Sequence, residues 1–166
     1  MQRKFTVQQI AFGAIITAVY VVLTVINPLS FPAIQFRVSE ILVLICFYNP
    51  VYCIPMILGC LIANLFSPYG MIDVTLGTLA TALAVIPMCK MKNIWLASLL
   101  PVVTNAIIIG LMLHFLYELP LFFNIGMVGL GQFAVVTVIG APLFKYVLEK
   151  NKAFMSIICA KSTKIQ

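Results

Sequence analysis

The stretch from Ile94 to Tyr117, IWLASLLPVVTNAIIIGLMLHFLY, decides the class of fold. It runs for 24 residues without an aspartate, glutamate, lysine or arginine. A membrane-crossing α-helix needs roughly 20 predominantly apolar residues. The stretch is therefore long enough to span a bilayer, and it predicts a helix whose surroundings are lipid and other apolar helices.

The composition of the whole chain agrees with this interpretation. Of its 166 residues, 63% are apolar and 8% are charged, whereas soluble domains are about 45–50% apolar and about 25% charged. A chain this short cannot bury such an excess in one core. Its net charge of +6 also does not indicate nucleic-acid binding, because the basic residues lie at the chain ends and in one short turn rather than among stacking aromatics.

Short clusters of polar residues, proline and glycine divide the chain into apolar segments with no linker or repeat between them. The six segments are Val7 to Ile26, Val38 to Tyr48, Tyr52 to Phe66, Asp73 to Cys89, Ile94 to Tyr117 and Ile125 to Leu148. The first, fifth and sixth are long enough to cross a membrane, and the fourth nearly is. The second is either a short helix buried among its neighbours or part of a re-entrant hairpin with the third. We predict an all-α membrane protein, a six-helix transmembrane bundle formed by one domain over residues 1–166.

The basic residues predict the orientation of this bundle. In a six-crossing topology nine of the ten fall on one side, and Arg37 falls on the other. The nine are Arg3, Lys4, Lys90, Lys92, Lys145, Lys150, Lys152, Lys161 and Lys164. The positive-inside rule places that side in the cytoplasm, so both termini are predicted to be cytoplasmic. Arg37, Glu40, Asp73 and Glu118 then make the outer end acidic.

No motif for catalysis or ATP hydrolysis is found in the sequence. It contains no GxxxxGK phosphate loop, no HExxH and no GxSxG, and His114 has no second histidine with which to bind a metal. The five cysteines lack CxxC spacing and are interpreted as small apolar side chains in packed helices. We therefore predict a binding or transport protein with no metal, no cofactor and no catalytic residues, because ionisable residues at membrane depth tend to mark a pathway or a site.

Three charged residues begin the second and fourth segments, and each has two interpretations. Arg37 and Glu40 are three residues apart, so they share a helix face and could form a local ion pair. A cation at a helix N-terminus opposes the helix dipole, which favours a role in a binding site instead. Asp73 begins the fourth segment, where it could be an N-cap or contact a ligand.

Other polar residues fall in the outer half of the predicted bundle. Asn64, Asn105 and Gln132 could hydrogen-bond between helices or to a ligand, and His114 and Glu118 lie four residues apart on one face of the fifth helix, where they could pair. Each signal is weak alone. Together they place polar groups from several helices inside an apolar bundle, which is typical of a small-molecule pocket.

The first helix carries a strip of small residues, in which Ala14 and Ala18 are one helical turn apart. Such a strip lets another helix approach closely. Either internal packing or a partner protein could occupy it.

Several of these residues lie in stretches that resemble the QueT family, and the similarity runs in order from the first helix to Pro142. The stretches are Ala33 to Glu40 (AIQFRVSE), Gly59 to Pro68 (GCLIANLFSP), Asp73 to Thr81 (DVTLGTLAT), Asn105 to Gly110 (NAIIIG) and Val128 to Gln132 (VGLGQ). QueT proteins are substrate-binding S components of energy-coupling factor (ECF) transporters, assigned to the uptake of queuosine precursors. Gln132 departs from the family, in which a glutamate is common at this position.

The resemblance implies a plasma-membrane protein that binds a small molecule near its outer face. It also implies a membrane coupling subunit, driven by two cytoplasmic ATPases, on which the first helix docks through Ala14 and Ala18. Substrate would enter from outside beneath the loops Asn27 to Phe36 and Ser67 to Ile72. The alternatives are an S component for a different small cation or vitamin, and a stand-alone channel or membrane enzyme.

The substrate that the resemblance implies is a 7-deazaguanine such as preQ1 or preQ0. Its N1–H and N2–H₂ edge needs an acceptor, its O6 needs a donor, and the aminomethyl form adds a cation that calls for a second carboxylate. We expect Glu40 and Glu118 to be the two carboxylates. The other predicted substrate-binding residues are Arg37, Asn64, Asp73, Asn105, His114 and Gln132.

Overall fold

The computed structural model describes residues 6–32, 34–118 and 120–159. These residues form seven helices and no strand, which confirms the prediction of an all-α fold. The helices are α1 (Val7–Ile26), α2 (Val38–Tyr48), α3 (Pro50–Asn64), α4 (Met71–Met88), α5 (Ile94–Tyr117), α6 (Leu121–Leu148) and α7 (Lys152–Ile158).

Four of the helices, α1, α4, α5 and α6, are long and apolar enough to cross a membrane. The helices α2 and α3 are apolar but shorter. The first part of α2, Val38–Leu44, is wound as a 3₁₀-helix, which rises about 2.0 Å per residue. Even with that extended winding, α2 is only about 20 Å long, less than the roughly 30 Å of a bilayer's hydrocarbon core.

The structure corrects several of the predicted helix boundaries. Both α3 and α4 begin two residues earlier than predicted, and α6 begins at Leu121, directly after Pro120, four residues earlier than predicted. The first backbone N–H groups of a helix have no partner within the helix, so a proline there costs no hydrogen bond. Pro120 therefore leads directly into α6 instead of ending a loop before it. The short helix α7 was not predicted, because its seven residues are too few to span a membrane and lie beyond the last long apolar segment. Asn151 caps it by accepting from the Phe154 N–H at 3.1 Å.

The second half of α6 is unusual in its winding. Two stretches, Phe133–Gly140 and Leu143–Leu148, are π-helical, with hydrogen bonds that span five residues instead of four. Long π-helical stretches are rare and often accompany function. Gln132 is the last residue of the α-helical half of α6. Because π-helical turns are wider, the angle between successive side chains around the helix axis changes after this residue.

Contacts between helices show which of them run in the same direction. Along α1 and α3, Gly13 lies against Pro55 and Gly59 against Tyr20, so these two helices are parallel. The helix α2 returns antiparallel to α1, α4 runs antiparallel to α3, and α6 runs antiparallel to α5. The helix ends therefore collect at two opposite ends of the bundle.

Charged residues divide between these two ends. One end, which we call the basic end, carries Lys90, Lys92, Lys145, Lys150 and Lys152 together with Glu149. The other, the acidic end, carries Arg37, Asp73 and Glu118. The predicted positions of Arg3, Lys4, Lys161 and Lys164 lie outside the described residues. Which end faces the cytoplasm stays a prediction.

The basic end contains the larger apolar core, and α7 packs over it. Phe154 of α7 contacts the rings of Phe12 and Phe144 at centroid distances of 6.4 and 6.5 Å. The Asn49 side chain donates to the Ile158 carbonyl at 2.7 Å. These contacts tie the last described helix to the start of α1 and to the turn between α2 and α3.

At the acidic end, the segment that joins α1 to α2 packs into the bundle instead of lying on its surface. A Cβ atom built on Gly131 would lie 2.0 Å from the Ile34 carbonyl oxygen. Only glycine allows the segment this close to α6. The backbone of α6 is therefore in contact with the segment at Gly131, next to Gln132.

We predict that Gly131→Ala destabilises the protein, because the methyl group has to push the Ile34 carbonyl away. Overpacking of this kind costs about 1–3 kcal/mol, which should lower the midpoint of thermal unfolding measured in detergent or nanodiscs. Gly126→Ala is the matched control on the same helix, since a Cβ there meets nothing within 4 Å. Equal unfolding midpoints for the two variants would contradict the close approach.

Candidate functional site

Arg37 is the centre of the polar site at the acidic end. It precedes α2 in extended conformation, and its side chain is buried, with 1% of its surface exposed. Its Nε donates to the Ser30 carbonyl at 3.0 Å, Nη1 to Asn64 Oδ1 at 3.1 Å and Nη2 to Asp73 Oδ2 at 3.2 Å. The guanidinium also lies 5.4 Å from the centroid of the Phe31 ring. A buried charge needs such partners, because its desolvation is costly.

Asp73 forms an ion pair with Arg37 in which both side chains are buried. It does not cap α4, so that interpretation is wrong: Gly70 occupies the N-cap position, with φ of 63°, and Asp73 lies one turn further on. The N-terminal turn of a helix favours a carboxylate, which adds to the attraction of the guanidinium. The second oxygen, Oδ1, has no hydrogen-bond partner among the described residues.

The alternative of a local ion pair between Arg37 and Glu40 is also wrong. The two side chains point to different partners, because Arg37 reaches α3 and α4 whereas Glu40 bonds to α1. The sequence spacing was suitable, but spacing alone could not show that a better carboxylate comes from α4.

Asn64 holds α3 to α4. Besides accepting from Arg37, its amide nitrogen donates to the Asp73 carbonyl at 3.1 Å and contacts Cys60 Sγ at 3.4 Å. A Cβ on Gly77 would lie 2.5 Å from that nitrogen, so the glycine makes room for the amide. The helix-to-helix hydrogen bonding considered for Asn64 is therefore present in the structure.

Glu40 is buried one turn into α2, with 1% of its surface exposed. Its Oε1 accepts from the Tyr20 hydroxyl at 2.5 Å, whereas Oε2 has no partner in the part of the chain that the structure describes. Next to it, the hydroxyls of Thr24 and Ser39 are 2.6 Å apart and join α1 to α2. Glu40 thus has one carboxylate oxygen fixed by Tyr20 and a second, buried oxygen without a partner among the described residues.

Three buried amides lie at one depth of the bundle. Gln35 is completely buried, and neither its Oε1 nor its Nε2 has a partner among the residues described. Gln132 is buried with an unpartnered Oε1, and it follows Gly131, where the segment of Gln35 meets α6. Asn105 is buried on the facing turn of α5, and its amide nitrogen donates to the Pro101 carbonyl at 2.9 Å.

The conformation of Gln35 is strained as well as buried. Its φ of 46° lies in the left-handed region, which costs a residue other than glycine about 1–3 kcal/mol. A buried amide without partners adds a desolvation penalty of about 1–3 kcal/mol. Penalties of this kind collect at ligand sites.

His114 and Glu118 lie at the end of α5. Glu118 is exposed in left-handed conformation, and its N–H donates to the His114 carbonyl at 2.9 Å. His114 is half-buried, with its ring 5.4 Å from that of Phe115. The structure does not bring Glu118 among the buried side chains, and its role as the second carboxylate stays a prediction.

A hydrogen bond joins the two segments that close the acidic end. The Tyr69 hydroxyl, between α3 and α4, donates to the Phe31 carbonyl, and its ring meets that of Tyr117 at a centroid distance of 5.7 Å. Burial raises the pKa of Tyr69, so this hydroxyl remains a donor. The segments before α2 and before α4 are thereby held together.

Several residues of the site were missed from the sequence. Tyr20, Gln35 and Asn124 are fully buried, and Asn124 has no partner for either amide atom within the described ranges. A single tyrosine in an apolar helix, or a single glutamine in a proline-containing loop, belongs to no sequence pattern that indicates a binding site. What distinguishes these residues is their burial, which sequence patterns did not show.

Ala14 and Ala18 are exposed on α1. They line an apolar groove of about 700 Å³ between α1 and α3, together with Gly13, Pro55 and Leu58. The strip is therefore not covered by the chain's own described helices.

Apolar helices of membrane-spanning length around a buried group of hydrogen-bonding side chains define a class, the multi-pass membrane proteins with a polar interior. A family model described as "QueT transporter" matches residues 10–150. The chain is 32% identical over 149 residues to the "Queuosine precursor transporter QueT" of Lactococcus lactis subsp. cremoris (strain MG1363), covering 80% of this chain and 88% of that protein. No solved structure matches this chain. The chain belongs to the QueT transporter family, which confirms the resemblance noted in the sequence.

We predict that Asp73→Ala destabilises the empty protein. Removing one partner of a buried ion pair leaves the other charge uncompensated, at a cost of about 3–5 kcal/mol. Thermal unfolding without any ligand would measure the loss, with Glu149→Gln as a control that removes an exposed carboxylate from the basic end. An unchanged unfolding midpoint for Asp73→Ala would show that the Arg37–Asp73 pair does not support the fold.

Proposed function

We propose that the chain is the membrane-embedded, substrate-binding S component of an ECF-type transporter. It captures a queuosine precursor, a 7-deazaguanine such as preQ1 or preQ0, from outside the cell for ATP-driven uptake. The observation that carries the proposal is the buried Glu40, whose Oε2 is unpartnered, in a chain of the QueT transporter family.

The unpartnered atoms suit a 7-deazaguanine. Its N1–H and N2–H₂ groups need acceptors, which the Oε1 atoms of Gln35 and Gln132 supply, and its O6 needs a donor such as Gln35 Nε2. The cation of the aminomethyl form needs a carboxylate, which Glu40 supplies. Arg37, Asn64 and Asp73 frame the site, and Asn105 borders it from α5. His114 and Glu118 belong to the proposal as residues at its outer rim, where an arriving guest first meets the protein.

The orientation follows from the charges at the two ends of the bundle. The basic end, with Lys90, Lys92 and Lys150, faces the cytoplasm under the positive-inside rule, and both termini lie there. In this arrangement the shorter helices α2 and α3 together return the chain to the outer side, with α2 buried among its neighbours. The acidic end then faces outward, and substrate enters beneath the segments before α2 and before α4 that Tyr69 joins.

Release into the cell requires partners, since the sequence has no motif for ATP hydrolysis. We assign the groove around Ala14 and Ala18 to a membrane coupling subunit that two cytoplasmic ATPases drive. The support is that the groove is apolar and open, and that its small residues allow a partner helix to approach closely.

The proposal predicts that binding and uptake separate in two variants. Purified Glu40→Gln should bind a labelled aminomethyl 7-deazaguanine more weakly than the wild type, because an amide cannot replace the charged acceptor. Ala14→Leu should bind as the wild type does, yet abolish uptake by cells that also express the coupling subunit and ATPases, because leucine fills the groove. Equilibrium binding and uptake of the same labelled compound are the measurements. Normal uptake by Glu40→Gln would remove this residue from the site, and transport by the purified chain without partners would exclude an S component.

A further inference from the structure

Three charged side chains are buried among the residues that the structure describes, and their charges do not balance. They are Arg37, Asp73 and Glu40. Arg37 and Asp73 form an ion pair in which each guanidinium nitrogen already has an acceptor. With Glu40 ionised, the group carries one net negative charge.

Glu40 has no cationic hydrogen-bond partner of its own. Its Oε1 is occupied by the neutral hydroxyl of Tyr20, and its Oε2 is buried and free. The nearby pair of Thr24 and Ser39 is neutral too. An ionised carboxylate buried without a cation is costly, and a guest with one positive charge at Glu40 Oε2 would compensate it.

The amides nearby add no charge but offer hydrogen bonds. Gln35 has an unpartnered donor and acceptor, and Gln132 an unpartnered acceptor. They lie at the same contact between the segment before α2 and the Gly131 turn of α6. A planar guest with donors and acceptors along one edge would satisfy them, and it would relieve the desolvation penalty of Gln35.

We infer that this site selects a guest with a single positive charge, whose ammonium group is bound by Glu40 Oε2 and whose neutral edge is read by Gln35 and Gln132. The inference rests on the proposed function and deepens it, since it distinguishes the aminomethyl 7-deazaguanine, a cation, from the nitrile form, which is neutral. Gln35 thereby becomes a substrate-binding residue that the sequence did not indicate.

The test compares these two compounds, which differ in one substituent, by calorimetry on the purified chain at neutral pH. The wild type should bind the cation at least about tenfold more tightly, because the partner of a buried charge is strongly preferred. Glu40→Gln should bring the two affinities within about threefold of each other. Gln35→Ala should weaken both by a similar factor and keep the preference for the cation.

Glu149→Gln is the matched control, since it removes a carboxylate that is exposed at the basic end, and it should keep the wild-type ratio. Equal affinities in the wild type, or an unchanged ratio in Glu40→Gln, would overturn the inference while the proposed function stands. Binding of neither compound by the folded wild type would overturn the proposed function itself. The wild-type comparison needs no variant, so it decides the matter even where Glu40→Gln fails to fold.

Discussion

The burial of one guanidinium constrains the whole acidic end. Arg37 has to find partners inside an apolar bundle, and it takes them from three places: the carbonyl of Ser30, the amide of Asn64 and the carboxylate of Asp73. Because these acceptors belong to different elements, satisfying one side chain fixes the segment before α2 against the ends of α3 and α4. In a medium without water, the protein itself has to supply the partners that compensate the charge.

This constraint also separates the roles of the two buried carboxylates. Asp73 neutralises Arg37, so its removal affects the fold first. Glu40 is held by a neutral hydroxyl and has one oxygen without a partner among the described residues, so under the proposed function its removal affects binding first. Sequence reasoning expected Glu40 to be a substrate carboxylate and left Asp73 as either an N-cap or a ligand contact. Their difference depends on which side chain reaches Arg37, and this is decided by packing between helices that are far apart in the chain.

The fold was largely predictable because long apolar runs have few alternatives in a membrane. The bounds of α1, α2 and α5 were predicted to the residue, since clear polar or proline signals flank them. The start of α6 was misplaced because Pro120 begins a helix as readily as it ends one. The site was predictable only as a list of polar residues. Of these, Arg37, Asn64 and Asp73 do contact one another, whereas Glu118 is exposed. The burial of Gln35 depends on a backbone contact at Gly131, which no local sequence pattern indicates.

That contact explains why an unsatisfied amide can persist at all. The strain and desolvation of Gln35 would be relieved only if its segment moved away from α6. The same segment, however, supplies the Ser30 carbonyl that accepts from Arg37 and the Phe31 carbonyl that accepts from Tyr69. Leaving the site would therefore break the hydrogen bonds of a buried charge. The ion pair at Arg37 thus holds Gln35 in position, and a guest that supplied the missing hydrogen bonds would recover the free energy that the unpartnered amide costs the empty protein.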